Sequence, residues 1–371
     1  MKNRFYSNGN SIIILLITIL FIIDSVYLLP VGIDTFIGVA LIMLFTLINF
    51  TNLKLTLSKL SVALIIVFIL HLVYTTDRIT TVILLISTLL FYETLKKAPV
   101  SYKPIVYFFV AFTLVEVLIT YQNMFESLMV QHTNREGLYL GFFANSNTNA
   151  GYLLNSLYAA LLFLNKSKYR TLLLLITLVA IVATGSRNAV LCVILIFCFN
   201  TLHRMPRFNK YGFTAFILII SAAFVYLYFF EMQSSIDFTF MGKEANSAGR
   251  AYQIAIVIAN FPITLLGSGK DVIESYVNFA GDYSIHNFYV NSLYALGILP
   301  ILGYIYYIYD LYKKIESSMA KSVLLSSNVY FFFEPGVCFY FVFLTMMPIL
   351  LVILKYNQET HSERNIISVS R

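Results

Sequence analysis

Residues 171–202 read TLLLLITLVAIVATGSRNAVLCVILIFCFNTL. Two uncharged apolar runs, 171–185 and 188–202, flank a polar turn at Ser186 and Arg187. Each run is about 15 residues and reaches roughly 22 Å as a helix, short of the ~30 Å hydrocarbon layer. The stretch therefore predicts a membrane hairpin whose turn lies below the bilayer surface. An arginine held there is costly unless it is paired or meets water. Arg187 thus reads as a residue lining a cavity or facing a partner. The other reading is an interfacial arginine that snorkels.

The same pattern extends in both directions. The chain has 371 residues, 59% hydrophobic and 12% charged, against about 25% charged in a soluble domain; its mean hydropathy is +0.80. Too little polar side chain remains to cover a soluble core. A soluble enzyme, a disordered chain and a secreted disulfide scaffold are excluded. The expected fold is an all-α polytopic membrane protein, residues 1–371 forming a single transmembrane domain. About 12 transmembrane helices are predicted, at 11–29, 33–50, 60–74, 79–95, 104–121, 149–164, 171–185, 188–202, 211–230, 286–309, 322–333 and 336–354. The eleventh is short, and could instead belong to a bent hairpin or one long helix.

Charge placement orients the bundle. The formal net charge is +7. With the N-terminus inside, nineteen of the 25 Lys and Arg residues fall in cytoplasmic loops and termini. Only Arg78, Arg135, Arg187, Lys243, Arg250 and Lys270 fall outside, as the positive-inside rule requires. The basic excess is thereby explained by topology, and no nucleic acid is expected as a partner. The expected location is the cell (inner) membrane with both termini cytoplasmic and a mobile tail at 356–371. Cys192, Cys198 and Cys338 sit in apolar runs without metal-ligand spacing and read as small hydrophobes.

Two long loops face outward, 122–148 and 231–285. The larger one, between spans 9 and 10, carries an apolar segment at 250–266 that predicts an interfacial helix or a lid. Asn145-Ser146-Asn147-Thr148-Asn149 places five polar residues at the mouth of the sixth span; lipid cannot accept them, so they line water or protein or cap the helix. Of the five histidines, His203 and His361 are cytoplasmic by this topology. His71 lies within a span and reads as a satisfied core residue. His132 has no distinctive neighbours, and His286, followed by Asn287, opens the tenth span and is a candidate base or ligand.

The order of these features resembles the Wzy/O-antigen ligase family of membrane glycan polymerases and ligases. The resemblance rests on Gly141-Phe142-Phe143-Ala144-Asn145-Ser146-Asn147-Thr148-Asn149-Ala150 and on Gly185-Ser186-Arg187-Asn188-Ala189. It continues through Ala248-Gly249-Arg250, Pro262, Leu266-Gly267-Ser268-Gly269, His286-Asn287-Phe288-Tyr289 and Gly297-Ile298. It covers about 141–303. It implies a glycan carried on undecaprenyl diphosphate at the outer leaflet, attacked at its anomeric carbon by an acceptor hydroxyl while lipid diphosphate leaves.

The residues suit that chemistry. Arg187 and Arg250, with Arg135 as a third, are candidates to neutralise the departing diphosphate through charge-assisted hydrogen bonds. His286 is the candidate base for the acceptor hydroxyl; the outward carboxylates Glu244, Asp282 and Glu334 could orient or replace it. Asn145, Asn147, Asn149, Ser186, Gly267, Gly269 and Asn287 are candidate substrate contacts. No Asp-x-Asp or Glu-x-Asp pair occurs, so metal-independent, inverting transfer with no metal site and no cofactor is expected. The expected function is repeat-unit polymerisation of capsule, O-antigen or exopolysaccharide, with membrane lipid, a flippase and a chain-length regulator as further partners. The alternatives are a ligase-type glycan transferase and, in another class, a lipid-linked oligosaccharide flippase. Against transport, the unusual polar groups sit toward one face and no internal repeat is evident; Asp24 and Glu116 are the clear acids within spans.

Overall fold

A computed structural model describes residues 2–25, 33–53, 57–75, 77–129, 138–143, 145–226, 239–240, 243–244, 250–279, 287–332, 338 and 343–369. They are almost wholly helical. The first ten helices are α1 (Lys2–Ser25), α2 (Ile33–Leu53), α3 (Lys59–Tyr74), α4 (Ile79–Leu95), α5 (Lys103–Ile119), α6 (Tyr121–Met129), α7 (Ser146–Phe163), α8 (Lys168–Ala183), α9 (Arg187–Leu202) and α10 (Pro206–Tyr226). A two-residue antiparallel pair follows, β1 (Thr239–Phe240) and β2 (Lys243–Glu244). Then come α11 (Arg250–Asn260), α12 (Lys270–Phe279), α13 (Phe288–Ala295), α14 (Ile298–Lys314), α15 (Ser318–Phe331) and α16 (Phe343–Val369).

Each span expected from the sequence overlaps one of these helices over the described residues, but two are reshaped. The fifth continues from α5 into α6 across a 70° bend. The tenth is broken at Leu296-Gly297 into α13 and α14. Among the described residues no single helix is long and apolar enough to cross a membrane; the α5–α6 pair passes that test together, by length and composition. Where one interfacial helix was expected in the large loop, α11 and α12 both occur.

The break at Gly297 has a backbone cause. Gly297 and Gly267 both hold positive φ, 97° and 76°. A Cβ on Gly297 would collide with the backbone of Gly267, and one on Gly267 with the carbonyl of Ala295. Two glycines thus let strand-like residues 264–269 lie against the helix break. Ser268 N–H donates to Tyr294 O (2.8 Å) and Gly269 N–H to Ala295 O (3.0 Å). Ile298 N–H donates to Thr264 O (3.0 Å) and Leu299 N–H to Leu265 O (3.2 Å). The loop therefore satisfies the orphan carbonyls that end α13 and the orphan N–H groups that start α14.

Helix α15 is the centre of the bundle. Residues 320–332 are buried throughout, which explains its 14-residue length: protein rather than lipid surrounds it. It runs antiparallel to α9. Ser326 Oγ donates to Cys192 O (2.9 Å), Cys192 Sγ contacts Ser326 O (3.5 Å), and Ser318 Oγ donates to Asn200 Oδ1 (3.2 Å). Polar side chains such as Asn155, Ser156, Ser326 and Asn328 face inward, whereas Phe36, Val73 and Leu118 are 76%, 81% and 72% exposed. An apolar exterior around a polar interior is the arrangement expected where lipid is the solvent.

The bundle has two distinct ends. One gathers the lysine- and arginine-rich turns. There Asn10 and Asn49 exchange amide hydrogen bonds of 2.9 Å. Asn357 Nδ2 donates to Leu95 O (2.7 Å) and Ala98 O (2.8 Å). These bonds pin α16 to the α4–α5 turn, and α16 continues past Lys355 to Val369. The other end gathers the α3–α4 turn, the α5–α6 bend, the α8–α9 turn and residues 264–271.

Candidate functional site

The site is built at that second end, from the Ser-Arg turn outward. Helix α8 stops at Thr184, whose hydroxyl bonds back to Ile181 O (2.7 Å). Gly185 takes a left-handed φ of 63°, the conformation a helix-ending residue needs and glycine adopts most readily. The chain reverses through Ser186, the N-cap of α9, and Arg187 becomes the first residue of the next helix. Ser186 is 3% exposed, and its hydroxyl completes no hydrogen bond among the described residues. Arg187 is half-buried.

The segment before α7 is tied to this turn. Ser127 Oγ donates to Ala183 O (2.6 Å), and Tyr139 N–H reaches both Ser127 Oγ (3.1 Å) and Ala183 O (3.3 Å). The Tyr139 hydroxyl pairs with Thr120 Oγ1 at 2.8 Å. Burial first, and then the nearby Glu116 carboxyl, push that phenol well above its ordinary range. Gly141, with φ of 58°, allows the chain to pass over Glu116 of α5; any Cβ would strike its Oε1 and lie 2.7 Å from Asn149 Nδ2. Glu116 and Asn149 are both 0% exposed. Asn149, Tyr139 and the Phe142 N–H surround the Glu116 carboxyl without closing a short hydrogen bond.

Three helix N-termini converge here on the last turns of α15. Asn145 caps α7, accepting from Asn147 N–H (2.8 Å), and is exposed. Half-buried Asn147 presents its carbonyl to the Tyr330 hydroxyl at 3.4 Å. Asn287 caps α13, accepting from Val290 N–H (3.0 Å). It is 1% exposed, and its Nδ2 completes no hydrogen bond among the described residues. Tyr289 and Tyr304 hydroxyls both reach Asn328 Oδ1, at 3.2 and 2.8 Å, and so bind α13 and α14 to α15. The Cys192–Ser326 register carries Arg187, one and a half turns earlier on α9, alongside the same end of α15. Helix N-termini carry partial positive charge and free N–H donors, which suit an anion.

The structure thus brings together Asn145, Asn147, Asn149, Ser186, Arg187 and Asn287. Gly267 and Gly269 are buried, the first against the backbone of Ala295 and the second against the Asp77 carboxylate. Arg250 is the first residue of α11, and its side chain lies outside the described residues. Arg135, His286, Glu334 and Asp282 also lie outside them. His71 is a satisfied core residue, as the sequence suggested, held by Asp77 and Leu266 O. Glu116 and Asn328 were not singled out for the site. A carboxylate alone in an apolar span was the available signal for the first; nothing in the sequence pointed to the second. Among the described residues no three His, Cys, Asp or Glu side chains converge as metal ligands.

No curated protein matches the chain. Residues 172–305 match the family model described as O-Antigen ligase. That stretch runs from α8 into α14 and includes the Ser-Arg turn, Arg250, both loop glycines and His286-Asn287. Members of this family are membrane-associated, glycosyltransferase-like enzymes that act on lipid-linked glycans. Over this stretch, about a third of the chain, the protein is similar to the O-antigen ligase family, in line with the resemblance carried by its motifs.

Proposed function

We propose that the protein polymerises polysaccharide repeat units at the outer leaflet of the cell membrane, moving an undecaprenyl-diphosphate-linked glycan onto an acceptor glycan hydroxyl. The observation that carries this reading is the convergence of three helix N-termini and Arg187 around one end of α15, opposite the basic end of the bundle. Positive-inside placement makes that end extracytoplasmic. There, Arg187 and Arg250 stabilise the diphosphate as the glycosidic bond breaks, with Arg135 assisting. The amides of Asn149 and Asn287 and the hydroxyl of Ser186 supply donors that complete no short hydrogen bond among the described residues. His286 takes the proton of the attacking hydroxyl, and transfer inverts the anomeric centre without a metal. A flippase supplies the donor, and a chain-length regulator limits the product.

Transfer to a non-glycan acceptor, the ligase reaction, uses the same groups. The description of the matching family favours it as the second reading. One experiment addresses both. Purified protein in lipid nanodiscs is given undecaprenyl-diphosphate-linked repeat units, and chain length is read on a gel. Wild type should extend chains, with or without EDTA. Arg187→Ala, Arg250→Ala and His286→Ala should each abolish extension while inserting normally. Long polymer from all three variants would overturn the site. Transfer that needs an added lipid or protein acceptor would move the assignment to the ligase branch.

A further inference from the structure

The large outer loop is fastened at a point that the transfer chemistry does not use. His71, in the last turn of α3, and Asp77, in the α3–α4 turn, have side chains with 0% exposure. Nε2 of the ring lies 2.9 Å from Asp77 Oδ2, and Nδ1 meets Leu266 O. A carbonyl oxygen can only accept, so Nδ1 carries a hydrogen. Asp77 Oδ2 also accepts from Lys270 N–H (2.8 Å), and Oδ1 from Asp271 N–H (2.9 Å). A carboxyl whose two oxygens both face donors is held as the anion. Burial acts against that charge, but the His71 and backbone hydrogen bonds outweigh it and keep Asp77 below the usual carboxylate range. Nε2 therefore carries a hydrogen too.

We infer that His71 and Asp77 form a buried imidazolium–carboxylate latch that fixes residues 266–271 of the outer loop and so positions Asn287 at the start of α13. Both ring nitrogens donate only when the ring is charged. Loss of that proton leaves either Leu266 O or Asp77 without its partner, and the latch loosens. The mechanical path is short. Asp77 caps the start of α12, while Asp271 Oδ2 returns the bond to Arg78 N–H at the start of α4 (2.9 Å). Residues 264–269 continue directly into the hydrogen bonds that shape the α13–α14 break. Eight residues of α13 separate that break from Asn287.

The charged groups around the ring are few. On α12 these are Asp271 and the Lys270–Glu274 pair (2.6 Å), and beside Asp77 stands exposed Arg78. Helices α4 and α14, which pack on α3, carry Glu93, Asp310, Lys313 and Lys314 at their far ends. The pair is thus governed mainly by Asp77. Its effect on rate rests on the transferase reading; the latch itself does not.

Two measurements test it. Nitrogen-15 NMR of histidine-labelled wild-type protein in nanodiscs should show the His71 ring protonated at both nitrogens, assigned by its absence in His71→Gln. A ring with one bare nitrogen overturns the proposal and needs no folded variant. Hydrogen exchange of peptides covering 262–272 should speed up about tenfold or more in Asp77→Asn, with α9 and α15 unchanged. Exchange insensitive to the variant also overturns it. Loss of activity in Asp77→Asn should appear in kcat more than in KM. If Arg187→Ala retains full transfer while the exchange results hold, the functional reading fails and the latch stands.

Discussion

The buried polar groups around the Ser-Arg turn and the caps of α7 and α13 differ from those at the basic end of the bundle. At the basic end they are closed on one another: Asn10 with Asn49, Asn357 with two turn carbonyls, and His203 with Phe199 O, Ser322 and Tyr312. At the opposite end Asn149, Ser186 and Asn287 are as deeply buried, yet part of each side chain completes no bond among the described residues. An unsatisfied buried polar group costs stability. Satisfied groups at one end hold the helices together. Open groups at the other are in keeping with an end shaped for something that arrives from outside the chain.

The largest effect expected from this contrast is on activity. Asn149→Ala together with Asn287→Ala should lower transfer about a hundredfold, while the loss of stability stays near the ~1 kcal/mol of the α13 cap bond that Asn287 gives up. A large fall in unfolding temperature with proportionate loss of activity would erase the distinction between the ends. At the basic end the reverse should hold. Asn357→Ala leaves two buried carbonyls unpaired and should destabilise by about 1–3 kcal/mol, with transfer per folded molecule unchanged. Denaturant titration beside a single-turnover assay separates the two.

The smallest effect concerns pH. Burial holds His203 down to about 4, from an ordinary value of 6.5. Its neutral ring is accommodated at the basic end, so the sign is fixed. As pH falls from about 6.5 to about 4, the unfolded chain takes up a proton that the folded one refuses, and stability declines. Below that window this group adds no further dependence. His203→Gln should flatten the decline between those limits; an unchanged slope would mean that other groups set it.

Much of the fold was legible because helix-length apolar runs and basic turns are local signals. The hairpin at Ser186-Arg187 could be read from run length alone. The break at Gly297 could not: it depends on Gly267, thirty residues away, and only the folded chain brings the two backbones together. The 70° turn into α6 was hidden for a similar reason, since the bonds that hold it, from Ser127 to Ala183 and from Tyr139 to Thr120, span distant segments. His71 read correctly as a satisfied residue, but its partners Asp77 and Leu266 were invisible without the loop's path. At the site, the asparagine stretch and Ser-Arg turn announced themselves by polarity amid apolar sequence. Glu116 was visible as a buried acid, but its place beneath Gly141 and Asn149 depended on how the preceding loop folds back.

The enclosure of α15 also bears on how the molecule is made. A segment reading SMAKSVLLSSNVYF is too brief and too rich in serine and asparagine to partition into bilayer unaided. Its integration must wait for earlier helices, α9 above all, to offer hydroxyl and carbonyl partners within the membrane. Biogenesis of this protein is therefore cooperative: α15 fills a bundle that the earlier helices leave without a centre.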